Sequence, residues 1–452
     1  MKFQIKEEHM ADTRSRWGTR LGFIMAATGS AVGLGNIWKF PYMAGENGGA
    51  AFLIIYLVLV FTIGISVMLC EFVIGRAAER NPVGAYAALK GGPWKLIGFF
   101  GVAAGFIILS FYSVVAGWAI AYIFKATGGL LATSDPAALG TIFSKFSSDP
   151  GQPLLYHGIF MALTVLVIIG GVNGGIERTC RILLPLLFLI LVALAIRAVT
   201  LPGAMEGVKF YLAPDFSKVT AATVNGALSQ AFFSLSLGMG AMITYASYLS
   251  REINLTKATL LVTLCDTMVA LIAGLVILPA VFAFSFDPSA GPGLVFITLP
   301  AVFAKMPLGV LFAILFFVLL SIAGLTSAVS LLEVVVAYFV DERGMERRKA
   351  AIVLGTIIFL LGIPSSLSLG VWSDFTIAGK GFLDVMDYIG SNILLPIGGI
   401  AVSLFVGWVI LPRALDEATA DGVHPFPLAA VWTFICKYVS PVAVGWILIS
   451  GL

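Results

Sequence analysis

Long apolar runs constrain this chain more than anything else in it. Eleven of them, at about 21–45, 49–75, 95–127, 154–171, 180–200, 222–249, 257–284, 308–340, 350–365, 382–411 and 428–450, divide its 452 residues. About 20 residues at ~1.5 Å rise cross a ~30 Å hydrocarbon core. Inside that core each backbone amide must be satisfied within its own segment, so such runs fold as helices. The roughly ten-residue alternating segments of a transmembrane barrel are missing. A charged fraction of 11%, against about 25% for soluble domains, agrees with an all-α polytopic membrane protein, one domain over 1–452. A shorter piece, Gly293–Ala304, is bounded by Pro292 and Pro307 and cannot cross, so it reads as an outer re-entrant helix.

Charge sets the orientation. With the N-terminus inside, 18 Lys/Arg fall on the inner side and 7 in the outer loops, which favours a cytoplasmic N-terminus and an extracellular C-terminus. A net charge of +3 argues against a nucleic-acid partner. Cys70, Cys180, Cys265 and Cys436, like His9, His157 and His424, are scattered without metal-ligand spacing, so the thiols read as free and buried. The polar, mixed-charge start MKFQIKEEHMADTRSRW is unlike a signal peptide.

Two spans are irregular. From Ala26 to Pro41 the first carries Gly29, Gly33, Gly35 and Asn36, and Pro41 is expected to close the run. Glycine and proline hold a helix poorly, and unwound backbone at membrane depth is tolerated only against protein or a watery cavity. The sixth is interrupted halfway by Ser236, Gly238 and Gly240. Glycines in one span read equally well as a close-packing face. Two such spans five apart, with polar residues beside the glycines, point to a 5+5 inverted repeat, 17–200 and 222–411, with helix 11 (428–450) outside it and a midplane site. A broken helix also suits an ion channel, but channels build pores by subunit symmetry. An intramembrane enzyme would need a motif such as HExxH, GxSxG or GxGD, and none is present.

GSAVGLGNIWKFPYMAGENGG in the first span resembles the signature of the neurotransmitter:sodium symporter family. FFSLSLGMGAMITYASY in the sixth and AGLTSAVSLLE in the eighth resemble that family's site helices. With eleven spans the chain is most similar to bacterial members. The resemblance implies sodium-coupled uptake of a small solute across a bacterial inner membrane by a monomer or weak dimer. It assigns the substrate carboxylate to the N–H groups of Leu34 and Gly35 and the hydroxyl of Tyr112. The ammonium falls to the carbonyls of Ala31, Phe233 and Ser234 and the hydroxyl of Ser236. Ile108, Tyr112, Phe233, Met239, Ser327 and Leu331 would line an apolar side-chain pocket, so hydrophobic amino acids, aliphatic and aromatic, are expected. In family members that carry amines an aspartate stands at the position of Gly33, so glycine here implies a substrate with its own carboxylate.

The resemblance further implies two sodium ions. One takes the Ala31 carbonyl, Asn36, Ser234, Asp266 and the substrate carboxylate, which would make ion and substrate binding interdependent. The other takes the carbonyls of Gly29, Val32 and Ala323 with the hydroxyls of Thr326 and Ser327, although such hydroxyls commonly bond their own helix. Glu71 would brace the unwound backbone. Lys39 and Asp387, with Phe233, match an outer gate; Arg14 and Asp341, with Trp17, Ser247 and Tyr248, match an inner one. Lysine cannot offer arginine's two-pronged contact, so the outer gate is expected to be weak or water-bridged. Asp266 departs from the family, which carries asparagine there, beside a chloride site matched by Tyr56, Gln230, Ser234 and Ala270. A fixed carboxylate would make chloride unnecessary. Gly175 and Pro185 read either as a loop and a kink or, by resemblance, as a helix end that unwinds. The nearest rival is a proton-coupled amino-acid transporter, which would lack the Thr326/Ser327 hydroxyl pair.

Overall fold

The computed structural model describes residues 15–288 and 293–451. Among them the first expected span comes as two helices, α1 (Arg20–Ala31) and α2 (Gly35–Glu46), bent by 50°. Then follow α3 (Ala50–Ala78), α4 (Gly92–Thr127), α5 (Gln152–Ile169) and α6 (Gly171–Val199). The sixth expected span is also split, into α7 (Ala221–Ser234) and α8 (Ala241–Ala246). The chain continues with α9 (Leu255–Ala283), α10 (Gly309–Arg343), α11 (Arg347–Leu367) and α12 (Phe382–Val409). An amphipathic helix α13 (Leu411–Thr419) precedes α14 (Ala429–Ser450). Nine of these helices, among the described residues, are long and apolar enough to cross a membrane unaided.

The breaks follow from local chemistry. The ladder of α1 ends where the Val32 N–H bonds the Thr28 carbonyl at 2.7 Å, and Val32 is already extended. Helix resumes at Gly35, so the irregular stretch is far shorter than the glycines suggest. Pro41 does not end the run. It sits inside α2, directly after a widened turn at Gly35–Lys39 in which the Phe40 N–H reaches back to the Gly35 carbonyl, and a local widening of this kind re-accommodates the ladder at a residue without a donor. Between α7 and α8 the backbone turns left-handed at Ser236 (φ 54°), Gly238 (φ 80°) and Gly240 (φ 75°). Gly238 is required for space as well: a Cβ there would meet the Leu395 carbonyl oxygen at 2.2 Å.

Residues 171–177 are wound helix continuous with α6, not a loop. They hold the start of α1. Glu177 accepts hydrogen bonds from the Gly18 N–H (2.8 Å) and the Thr19 hydroxyl (2.9 Å), acting as a cap supplied by another helix. The piece expected to be re-entrant is a helix, Leu294–Lys305. Its Phe296 packs against Trp118, Tyr122, Phe143 and Phe317. Around both broken helices, α4 packs lengthwise on α10, and α10 and α9 contact α1.

Candidate functional site

The two breaks meet at a buried pocket. Ser30, Ala31, Gly33 and Gly35 come from the first break, Ile108 and Tyr112 from α4, Phe233, Ser236 and Met239 from the second break, and Ser327 and Leu331 from α10. The cavity they enclose is about 20 Å³, room for roughly one water, so a ligand must spread its walls. The other lining residues are buried, while Phe233 is only partly so.

Each polar lining group has an identifiable reason for its position. The freed Leu34 N–H donates to the Tyr112 hydroxyl at 3.1 Å. The Gly33 N–H donates to Asn36 Oδ1 at 3.0 Å, a bond that closes the break upon itself. The Ser236 hydroxyl donates to the Ser30 carbonyl (2.8 Å), and Ser327 donates to the same oxygen (2.9 Å) and to the Val32 carbonyl (3.1 Å). Ser30, which the motifs did not single out, is therefore the carbonyl where both breaks converge. Its only sequence signal was its place inside the glycine-rich stretch.

On one side of the pocket Asn36 Nδ2 donates to Ser234 Oγ (2.9 Å) and to Asp266 Oδ1 (2.8 Å), while Ser234 Oγ donates to Asp266 Oδ2 (2.8 Å). Asn36, Ser234 and Asp266 are thus one buried cluster. Tyr56 reaches Ser234 at 3.3 Å, and Gln230 donates to the Gly35 carbonyl at 2.7 Å. On the other side, Ser327 crosses from α10 to the carbonyls of α1, with Gly29 at 3.5 Å. Thr326 does not cross. Its hydroxyl donates to the Ile322 (3.2 Å) and Ala323 (3.1 Å) carbonyls of its own helix, as membrane hydroxyls commonly do. Gly29 lies close by: a Cβ on it would meet Thr326 Cβ at 3.2 Å.

Glu71, fully buried on α3, accepts the Gly238 N–H at 2.7 Å. The bond ties α3 to the second break, the place where the resemblance puts its supporting carboxylate; the position of Glu71 near Arg76 at the end of an apolar run also reads as a span boundary. Removing the acceptor leaves a buried amide unpaired, a loss of about 1–3 kcal/mol. Glu71→Ala is therefore expected to lower the unfolding temperature in detergent and Glu71→Gln to retain most of it. Equal melting of both variants and the parent would contradict this.

At the outer gate, expected to be weak or water-bridged, Lys39 and Asp387 are not in direct ion-pair contact. The Lys39 ammonium lies 4.7 Å from the centre of the Phe233 ring, and Asp387 accepts from the Ser391 hydroxyl at 2.7 Å. A single-point ammonium gains a cation–π contact here and has no second prong to reach across. On the inner side Arg14 lies outside the described residues. Asp341 accepts from the Asn81 N–H (2.9 Å) and side-chain amide (3.2 Å). Trp17 donates to the Tyr245 carbonyl at 2.8 Å, its backbone N–H bonds the Tyr248 carbonyl, and its ring stands edge-on to Tyr248. Tyr248 donates to Glu333 at 2.7 Å, and Glu333 pairs with Arg347. Glu333 was not anticipated, although a glutamate ending AGLTSAVSLLE is an intramembrane charge that asks for a partner.

Helices long and apolar enough to cross a bilayer, with two spans interrupted around one shared pocket, define the class of multi-pass membrane transporters. Comparison with known proteins makes this specific. The chain belongs to the sodium:neurotransmitter symporter family, whose model matches residues 14–135 and 144–452. It is 43% identical to an uncharacterized sodium-dependent transporter of Bacillus subtilis over 95% of this chain and 96% of that one. It is 38% identical to another from Haemophilus influenzae, covering 97% and 98%. Its fold is similar to the crystal structure of MhsT in complex with L-phenylalanine, with a TM-score of 0.90 and 48% identity over 97% of this chain and 100% of that one.

Proposed function

We propose that this protein is a sodium-coupled symporter that takes up hydrophobic L-amino acids, aliphatic and aromatic, by alternating access. The observation that carries the reading is the pocket itself. The glycine backbone of the first break and the hydroxyls of Tyr112, Ser236 and Ser327 line it together with Ile108, Met239, Leu331 and the Phe233 ring. That combination suits a zwitterion with an apolar side chain, and the similarity to a protein crystallised with L-phenylalanine supports it.

In this reading Leu34, Gly35 and Tyr112 receive the substrate carboxylate, and the carbonyls of Ala31, Phe233 and Ser234 with the Ser236 hydroxyl receive the ammonium. One sodium ion binds at Ala31, Asn36, Ser234 and Asp266, and the second at Gly29, Val32, Ala323, Thr326 and Ser327. The Asn36 oxygen turns from the Gly33 N–H to the first ion, and Thr326 and the Ala323 carbonyl turn from each other to the second. Oxygen ligands are what a hard cation prefers. Phe233 and Lys39 close the outer side; Trp17, Tyr248 and Asp341 close the inner. The protein sits in a bacterial inner membrane with its N-terminus cytoplasmic, and 17–200 and 222–411 form the two halves that rock against each other. The test is uptake of labelled leucine into proteoliposomes with and without a sodium gradient, the other natural amino acids competing. Saturable, sodium-driven uptake blocked by leucine, phenylalanine and tryptophan is expected; competition confined to one size class would contradict it.

Met239 sets the width of the pocket. Methionine bends where an aromatic ring cannot. Met239→Phe is expected to weaken competition by tryptophan by about tenfold or more while sparing leucine, within the range that pocket volume alone controls. Equal losses for both would remove Met239 from the specificity argument. One observation favours a second reading. Thr326 bonds its own helix and Asp266 is a buried carboxylate, which would suit coupling to protons. Uptake driven by a pH gradient without sodium would establish it.

A further inference from the structure

Lys437 lies within α14, on a face largely open to lipid, and the transport site does not use it. A charge inside a span requires a partner. Among the described residues no carboxylate lies within ion-pair distance of it. Its ammonium is instead 5.1 Å from the centre of the Trp408 ring on α12.

The arrangement is built, not incidental. Pro441 has no N–H, so the Lys437 carbonyl one turn earlier loses its usual helical donor. Trp408 Nε1–H supplies one at 3.2 Å, which fixes the indole beside the lysine. Gly407 lets the helices close, since a Cβ there would meet Lys437 Cγ at 3.0 Å. Tyr438 stands edge-on to Trp408 at 5.6 Å. Trp408 is 57% and Tyr438 48% exposed. One turn before Trp408, Phe405 packs on Trp94 (5.1 Å) and Tyr86 (4.8 Å). Tyr86 belongs to the segment that links α3 to α4, and Trp94 to the first turn of α4 at the end of that segment. That segment is on the same side as the start of the chain, where Arg16 pairs with Glu79 at 3.8 Å. The patch therefore sits near a membrane boundary, the depth at which indole and phenol rings prefer to lie.

We propose that Lys437, Trp408 and Tyr438 form a binding site for the phosphate of an anionic phospholipid in the leaflet on the side of residue 15. A compact ammonium is a point-charge phosphate binder. The tyrosine hydroxyl adds a donor, and the rings pack on the glycerol and upper acyl chains. The site is separate from the transport pocket and does not depend on which solute is carried.

The test is native mass spectrometry of the full-length protein, titrated with phosphatidylglycerol or phosphatidylcholine of matched chains. The wild type is expected to retain phosphatidylglycerol about fivefold more tightly, the size of effect that one basic residue near a membrane surface supplies. Lys437→Gln should abolish that preference and Lys437→Arg should keep it, all three proteins remaining monodisperse. Equal retention of the two lipids by the wild type overturns the proposal without reference to any variant. So does a preference that survives in Lys437→Gln. Self-association in lipid nanodiscs that Lys437→Gln dissolves, with no change in lipid selectivity, would assign the patch to a second copy of the chain and overturn it as well.

Discussion

Replacing Gly33 by alanine is expected to reduce amino-acid uptake by about 100-fold or more while the protein remains folded. A Cβ at this position would meet Ser327 Oγ at 2.4 Å and the Tyr112 hydroxyl at 2.8 Å. Neither neighbour can retreat freely. Ser327 is held by the Ser30 and Val32 carbonyls, and Tyr112 accepts the Leu34 N–H. One methyl group therefore displaces a proposed ligand of the second sodium ion and a proposed ligand of the substrate carboxylate together. Misplacement of about 1 Å is known to cost on the order of 10²-fold in a preorganised site. The measurement is initial uptake and equilibrium binding of labelled leucine at saturating sodium, with size-exclusion profile and helical content as controls. Adding Ser327→Gly relieves the shorter contact. In a double-mutant cycle the pair should bind substrate better than the product of the two single losses. Near-normal uptake by Gly33→Ala would remove the pocket from the transport argument.

How much of this was legible beforehand depended on how local the cause was. Helix α4 runs to Thr127 as the apolar pattern predicts, because the length of a run and the thickness of the membrane decide it. The two breaks were visible because glycine, serine and asparagine interrupt otherwise unbroken apolar sequence. Their extent was not. The first is short because Gly35 and Pro41 both fit helix in this context, and neighbours, not propensity, wind them. Pairings across the fold were the least legible. Lys39 and Asp387 carry opposite charges, yet the Phe233 ring takes the lysine, and a ring's face leaves no charge pattern in a sequence. Glu177 capping α1 and Ser30 joining both breaks are contacts over 158 or more positions. The short helices Pro82–Leu89, Pro136–Ser147 and Ala204–Leu212 lie where hydropathy reports only the ends of spans.

Asp266→Asn is expected to raise the sodium concentration for half-maximal uptake by about tenfold or more and to leave little transport in chloride-free buffer. The carboxylate is fully buried and accepts from Asn36 and Ser234, so it is the fixed anion of the cluster proposed to hold the first sodium ion. A unit charge about 4 Å from a cation contributes up to about 4 kcal/mol at an effective dielectric of 20. Part of that offsets the desolvation of the carboxylate itself, so the net loss is smaller than the Coulomb figure but well above a factor of two. Asparagine preserves volume and one acceptor oxygen, which separates loss of charge from loss of packing. Position 270, one turn along α9, is alanine, so no second carboxylate compensates there. With the charge removed, Tyr56, Gln230 and Ser234 remain as hydrogen-bonding groups around the gap, and chloride should restore part of the uptake that it leaves unchanged in the wild type. Two results would refute the assignment: a chloride requirement in the wild type, or an Asp266→Asn protein with unaltered sodium dependence in chloride-free buffer. Either would mean that the anionic half of the site lies elsewhere and that Asp266 serves Asn36 and Ser234 only as a structural acceptor.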